Sequence, residues 1–268
     1  MKLIPYSICL SLLGIQLSPA AIVWPSSDDG WIAVTDSNGD YYGDPDDINP
    51  ASLNMIGDED TPMLFWQYQH MDSAEMEDDQ IIFRLRVEDI AKNPQFTWQI
   101  LFNTKSETGI DFVLELNLSG SSDGIYLAQT LTDGPNFDDV TFDTSTPIEG
   151  QEGGYLWFTT VVLDEGEPGY EDYSRFVATG DGNYFVDIGM SWDAFSTATG
   201  LSLTDEFSIG ASTSATHTSI NKDVPLGLAN TAGVNSGFGS SINGIIPEPS
   251  ASALISFALC GFILYRKK

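Results

Sequence analysis

The chain has 268 residues, with 39 Asp and Glu against 10 Lys and Arg and a formal net charge of −29 at pH 7. A surface this acidic repels phosphate backbones and anionic lipid, which excludes nucleic acid as a partner and favours hydration at high salt and divalent cations. Both cysteines, Cys9 and Cys260, lie in hydrophobic end segments, so the stretch between them can hold no disulfide, zinc–thiolate site or cysteine nucleophile. Saline surroundings account for the charge bias without any binding function. Without the two ends, about 225 residues remain, enough for one large all-β domain or two small ones with a core that needs no covalent staples.

In chain order, Met1-Lys2 supplies one positive charge, followed by the apolar run Leu3–Leu17 and the small residues of Ser18-Pro19-Ala20. This is the pattern of a secretory signal peptide over 1–20, cut after Ala20 or, as the alternative, after Ala21. The run is short and acidic residues follow it, which argues against a membrane anchor. Trp24–Thr35 predicts a first strand region, apolar at Trp31-Ile32-Ala33-Val34. The acid-rich stretch from Asp36 to Asp47 comes next. Asp36, Asn38 and Asp40 have the alternating spacing of oxygen ligands that opens many calcium loops, with Asp47 at the twelfth position. Tyr41 stands where an EF-hand has glycine, and Asp47 is shorter than the usual glutamate, so the loop is no EF-hand. Asp36, Asn38, Asp40 and Asp47 are the candidate Ca²⁺ ligands, and a solvated turn rich in Asp and Asn is the alternative.

From there strand follows strand with period 2. Ile81, Phe83, Leu85 and Val87 alternate with Ile82, Arg84 and Arg86; Phe96, Trp98, Ile100 and Phe102 alternate with Thr97, Gln99 and Leu101. Ile110, Phe112, Leu114 and Leu116 alternate with Asp111, Val113, Glu115 and Asn117. Met63–Gln69, Gly124–Thr130, Gly154–Val162, Tyr173–Ala178, Asn183–Met190 and Glu206–Thr213 complete a set of about ten strands. One apolar face per strand predicts sheets packed on one side. Turn residues such as Ser121-Ser122-Asp123-Gly124 and Thr179-Gly180-Asp181-Gly182-Asn183 separate the strands. The best helical stretch is Ser191–Thr199, capped by Ser191 and short enough to plug one end. The fold class is therefore all-β: an antiparallel two-sheet β-sandwich with one short helix over 21–228.

Candidate chemistry on this body is sparse. The two histidines, His70 and His217, have no Gly-x-Ser-x-Gly elbow ahead of them, and neither a P-loop nor a dinucleotide fingerprint occurs. His70 and Met71 stand near Glu75 and Glu77 as conceivable metal or haem ligands, with a surface loop as the default. An enzyme is not expected. Leu64, Trp66 and Tyr68 share one strand face; if it is exposed, Trp66 and Tyr68 form a stacking platform for sugar rings, with Tyr155 or Trp157 beside them, although aromatics in sandwich strands usually fill the core. Arg84 and Arg86 point the same way on one strand. They either pair with acids such as Asp111 or Glu115 on a neighbouring strand or donate hydrogen bonds to an anionic or uronic sugar. Ser214–Asp223 reads as a late edge strand or turn without assignable chemistry.

Residues 229–245 are dominated by Gly, Ser and Asn and predict a flexible linker. The segment 246–268 follows: Pro247-Glu248-Pro249, the apolar run Ala251–Tyr265, and Arg266-Lys267-Lys268. As a helix, 251–265 reaches about 22 Å, short of the roughly 30 Å hydrocarbon core, a gap that snorkelling by the basic end and local thinning can narrow. The basic cluster fixes this transmembrane helix with its end in the cytoplasm and the Pro-Glu-Pro at the outer face of the inner membrane.

With the signal peptide ahead of it, this order resembles the PEP-CTERM sorting signal of Gram-negative bacteria. The resemblance implies secretion, transient inner-membrane anchoring and recognition by an exosortase that cuts near Pro247-Glu248-Pro249. It also implies a place at the cell surface or in an extracellular polysaccharide matrix. The body, through Gln80–Val87, Phe96–Thr104 and Ile110–Asn117, more weakly resembles DOMON-like and family 9 carbohydrate-binding sandwiches; no ligand residues carry over. The sequence thus predicts a non-enzymatic exported surface or matrix protein, with a carbohydrate-binding module on exopolysaccharide, assisted by Ca²⁺, as the alternative.

Overall fold

Period-2 patterning needs partners before it makes sheets, and here the partners come from distant parts of the chain. A computed structural model describes residues 22–26, 29–35, 38–41, 43–44, 48–58, 60–71, 79–90, 95–104, 109–119, 124–132, 141–142, 174–217, 219–225, 227–228 and 242–243. The expected signal peptide, the expected strand Gly154–Val162 with Tyr155 and Trp157, most of the expected linker 229–245, and the expected sorting segment 246–268 lie outside these residues. Among the described residues, no helix is long and apolar enough to cross a membrane.

The elements are β1 (Ile32–Ala33), β2 (Leu64–Gln69), β3 (Gln80–Val87), β4 (Thr97–Asn103), β5 (Phe112–Asn117), β6 (Gly124–Thr132) and β7 (Thr141–Phe142). They continue with β8 (Ser174–Ala178), β9 (Tyr184–Ser191), α1 (Trp192–Thr199), β10 (Glu206–Ser214), β11 (Asp223–Val224), β12 (Gly227–Leu228) and β13 (Ile242–Asn243). One antiparallel sheet has the order β1-β2-β3-β9-β8. The other is built on the four strands β10-β4-β5-β6, flanked by the two-residue strands β13 and β7. β11 and β12 form a separate small ladder. The body is an antiparallel β-sandwich.

The apolar faces meet as the alternation predicts. Ile81, Phe83, Leu85 and Val87 from one sheet and Trp98, Ile100, Phe102, Phe112, Leu114 and Leu116 from the other are buried in one core. Helix α1 closes one end of it. The Ser191 hydroxyl accepts a hydrogen bond from the Ala194 N–H at 3.3 Å, and Gly200, at φ 74°, ends the helix in the left-handed region that favours glycine. Between these caps, Trp192, Phe195 and Ala198 face inward. Phe195 packs on Phe83, Phe102 and Phe207, so the helix joins both sheets.

The outer faces depart from the expectation of a solvated side. β3 and β5 are buried at every position, because further stretches of chain cover them. Residues 22–26 and 29–31 lie over the five-stranded sheet. There the Val23 N–H donates to Gln80 Oε1 at 3.0 Å, and Ile22 lies where a side chain on Gly189 would come within 3.1 Å of it. This explains why only Ile32–Ala33 of the expected Trp24–Thr35 strand pairs with β2: the preceding residues lie across the sheet instead of extending it. Over the other sheet lies the stretch after β10, where Ser219 C=O accepts from Gln99 Nε2 at 2.9 Å.

One further departure falls within the expected linker. β13 pairs antiparallel with β10 through Ile242–Phe207 and Asn243–Glu206, and Ile242 is buried against the core. The expected linker is thus pinned to the sandwich at 242–243, close ahead of Pro247.

Candidate functional site

Three arginines precede the tail, Arg84, Arg86 and Arg175, and strand register puts all three on one face. Arg84 on β3 pairs with Asp187 on β9, which pairs with Arg175 on β8; Arg86 lies two residues along β3 from Arg84 and therefore on the same side. This is the outer face of the five-stranded sheet, the one covered by 22–26 and 29–31.

Two guanidinium groups converge on a single carboxylate. Asp187, at 0 % side-chain exposure, accepts from Arg84 Nε at 2.7 Å and Nη2 at 2.9 Å, and from Arg175 Nε at 2.8 Å. Arg84 is held between aromatic rings, 4.1 Å from the Trp31 centroid and 4.5 Å from that of Phe185. Arg175 lies 4.8 Å over Trp24. Arg86 bonds Asp181 through Nη2. The Thr179 hydroxyl is the main influence holding the Asp181 carboxyl below the usual carboxylate range, joined by the Asn183 N–H and the Arg86 charge against a smaller desolvation effect. Three buried polar atoms on this face, Trp31 Nε1, Gln67 Oε1 and Arg86 Nε, have no hydrogen-bond partner among the described residues. Such atoms are rare in folded proteins.

Several sequence expectations are corrected by this geometry. Arg84 and Arg86 do pair with acids, but Asp111 and Glu115 are not their partners: both belong to the opposite half of the sandwich. Asp111 instead accepts from the Thr104 N–H at 2.8 Å across the β4–β5 turn. Arg84 is too deeply buried to offer donors to a sugar. The expected platform at Trp66 and Tyr68 is also corrected. That face of β2 looks inward, Trp66 is buried in the core, and Tyr68 packs edge-on against Trp192. Of the candidate calcium ligands, Asn38 and Asp40 are exposed in a turn closed by the Thr35–Tyr41 bridge, while Asp36 and Asp47 lie outside the described residues. Among the described residues, no group of three or more His, Cys, Asp and Glu is placed to hold a metal ion.

Both histidines turn Nδ1 toward a buried carboxylate, which fixes the ring. His217, in the stretch after β10, bonds Glu115 on β5 and packs at a tilt against Tyr126, centroids 4.6 Å apart. Glu115 belongs to a polar row across three strands: Ser212 Oγ donates to Gln99 Oε1 at 2.7 Å, and Gln99 Nε2 donates to Glu115 Oε2 at 2.6 Å. His70, 63 % exposed, lies 3.0 Å from Asp79, which also accepts from the Tyr68 hydroxyl and, at 2.9 Å, from the Met71 N–H.

Burial is the largest influence on Asp79 and opposes its ionisation. The bonds from Tyr68, His70 and Met71, with the His70 charge, together outweigh it and hold the carboxyl below its usual range. Burial first, then the Asp79 bond and charge, push the Tyr68 phenol upward. A depressed carboxyl stabilises the fold above its unfolded pKa of about 3.9 and loses that contribution as pH falls through the lower folded value. Asp79→Asn is therefore expected to lower the urea midpoint at pH 7, with the gap to wild type closing in titrations below about pH 4. A gap that is constant from pH 7 to pH 2.5 would refute the assignment.

Sequence reasoning missed Arg175, Asp187 and Trp24. The available signal was a charge set inside an apolar alternation: Asp187 stands between Val186 and Ile188, as Glu115 stands between Leu114 and Leu116. No known protein family, curated protein or solved structure matches the chain.

Proposed function

We propose that the chain is an exported, non-enzymatic surface or matrix protein. In this reading the sandwich is the cargo of a C-terminal sorting signal that an exosortase removes. The observation that carries it is the order Pro247-Glu248-Pro249, apolar 251–265, Arg266-Lys267-Lys268 behind an N-terminal secretory pattern. Two prolines resist helix and hold the backbone extended, the form a protease cleft accepts, while the basic end stops transfer at the cytoplasmic face. The Sec machinery, the inner membrane as a transient holding place and the exosortase are the partners this requires, and extracellular polysaccharide is the surrounding matrix. A cysteine-free body suits the route, since it needs no oxidative folding after export.

Intact-mass measurement of the protein from the surface fraction of native cells tests the reading. The mature form is expected to lack 1–20 and 251–268. Replacing Pro247, Glu248 and Pro249 together with alanine is expected to leave the tail attached and the protein in the inner-membrane fraction. Recovery of 251–268 in the final surface product would overturn it.

A further inference from the structure

We propose that the outer face of the five-stranded sheet is a binding site for a carboxylate-bearing sugar unit of an acidic polysaccharide, centred on Arg175 and Trp24. This goes beyond the export reading and does not depend on the fate of the tail.

The placement of charge is the first support. In a chain of net charge −29, every arginine ahead of the tail is gathered on this one face. The second is that the three have different work. Arg84 is buried and committed to Asp187, and Arg86 is buried and bonds Asp181. Arg175 uses Nε for Asp187, while its two Nη groups make no hydrogen bond among the described residues and 17 % of its side chain reaches solvent. Asp187 from one side and the Trp24 ring from the other hold the guanidinium, so its outward edge is oriented before any ligand arrives. That edge presents parallel N–H donors whose spacing matches the two oxygens of a carboxylate.

The walls indicate what carries the carboxylate. Trp24 is half-buried, and its neighbour Val23 is 54 % exposed, so an apolar surface adjoins the fork. A pyranose offers a C–H face to such a ring and a carboxylate at its edge, a combination that a small inorganic anion lacks. The overall negative charge opposes a polyanion at long range. That repulsion is confined to about 8 Å at 0.15 M salt and about 3 Å at 1 M, so a contact at Arg175 survives where long-range attraction cannot operate.

The test is affinity electrophoresis of the full-length chain in detergent, through gels containing polygalacturonate or its fully methyl-esterified form, at 0.15 M NaCl. Retardation by the free acid and not by the ester is expected. Arg175→Gln and Arg175→Lys should each weaken it at least tenfold, the lysine variant because a single ammonium cannot reproduce the fork. Trp24→Ala should weaken it similarly. Equal mobility of wild type in both gels would overturn the proposal with no variant needed. So would full retention by Arg175→Gln with an unchanged melting temperature. Retardation abolished by Arg175→Gln but untouched by Trp24→Ala would reduce the site to a bare carboxylate receptor and refute the sugar assignment.

Discussion

Asp187→Ala is expected to lower the free energy of unfolding by about 3–5 kcal/mol, the usual consequence of removing one partner from a buried ion pair. The cause is the charge left behind rather than the bonds lost. Arg84 sits at 4 % side-chain exposure between Trp31 and Phe185, so its guanidinium cannot turn to water when the carboxylate disappears. It is tied to Asp187 by two bonds from one guanidinium. Arg175 escapes more easily, being partly solvated. Asp187→Asn keeps one acceptor oxygen and is expected to fall between the variant and wild type. Since a domain of this kind has only about 5–15 kcal/mol to lose, the alanine variant should show a large fall in urea midpoint, read by tryptophan fluorescence. A midpoint within error of wild type would mean that Asp187 is not the counter-ion of this face.

The second large effect is expected at Phe102, again about 3–5 kcal/mol for Phe102→Ala. Its ring lies 5.3 Å from Phe83 on the opposing sheet, 5.1 Å from Phe195 on the helix and 6.5 Å from Phe207 on the adjacent strand. Three elements that are distant in sequence lean on one side chain, so its removal opens a cavity that no single shift can fill. Phe102→Leu retains most of the volume and should lose markedly less. Equilibrium denaturation of the pair checks this, and equal losses for both would show that ring contacts rather than cavity volume set the cost.

Phe102 also shows what a single sequence can reveal. Its place on an apolar face is readable from its spacing to Trp98 and Ile100, and the same holds for Phe83 on β3 and Leu114 on β5. Ser191 ahead of Trp192-Asp193-Ala194 marks the helix start correctly because capping is local chemistry. Arg84 marks the limit. An acid on the next strand was the right kind of partner, but the next strand is β9, and that adjacency is set by folding across more than a hundred residues rather than by any local period.

Trp66 fails for a related reason. Both faces of β2 carry aromatic residues, so alternation alone does not say which one looks inward. The decision rests on the covering residues 22–26 and 29–31, whose own composition reads as the beginning of a strand. Glu115 and His217 were individually visible, yet their meeting depends on the stretch after β10 folding back over the sheet. What stayed hidden in each case is long-range contact, and the candidate site consists of little else.

The strand Ile242–Asn243 sets the length of the leash. A tail joined through free chain from residue 229 onward would let the sandwich wander far from the bilayer. With Ile242 seated in the core beside Phe207, only Gly244, Ile245 and Ile246 separate the fold from Pro247, a reach of roughly 14 Å at full stretch. In the proposed membrane-held state the acidic body therefore rests almost against the lipid headgroups, with one end always facing them. On the proposed route, a cut ahead of residue 251 would leave no more than 244–250 beyond the strand paired to the sheet edge, a short end for other proteases to grip.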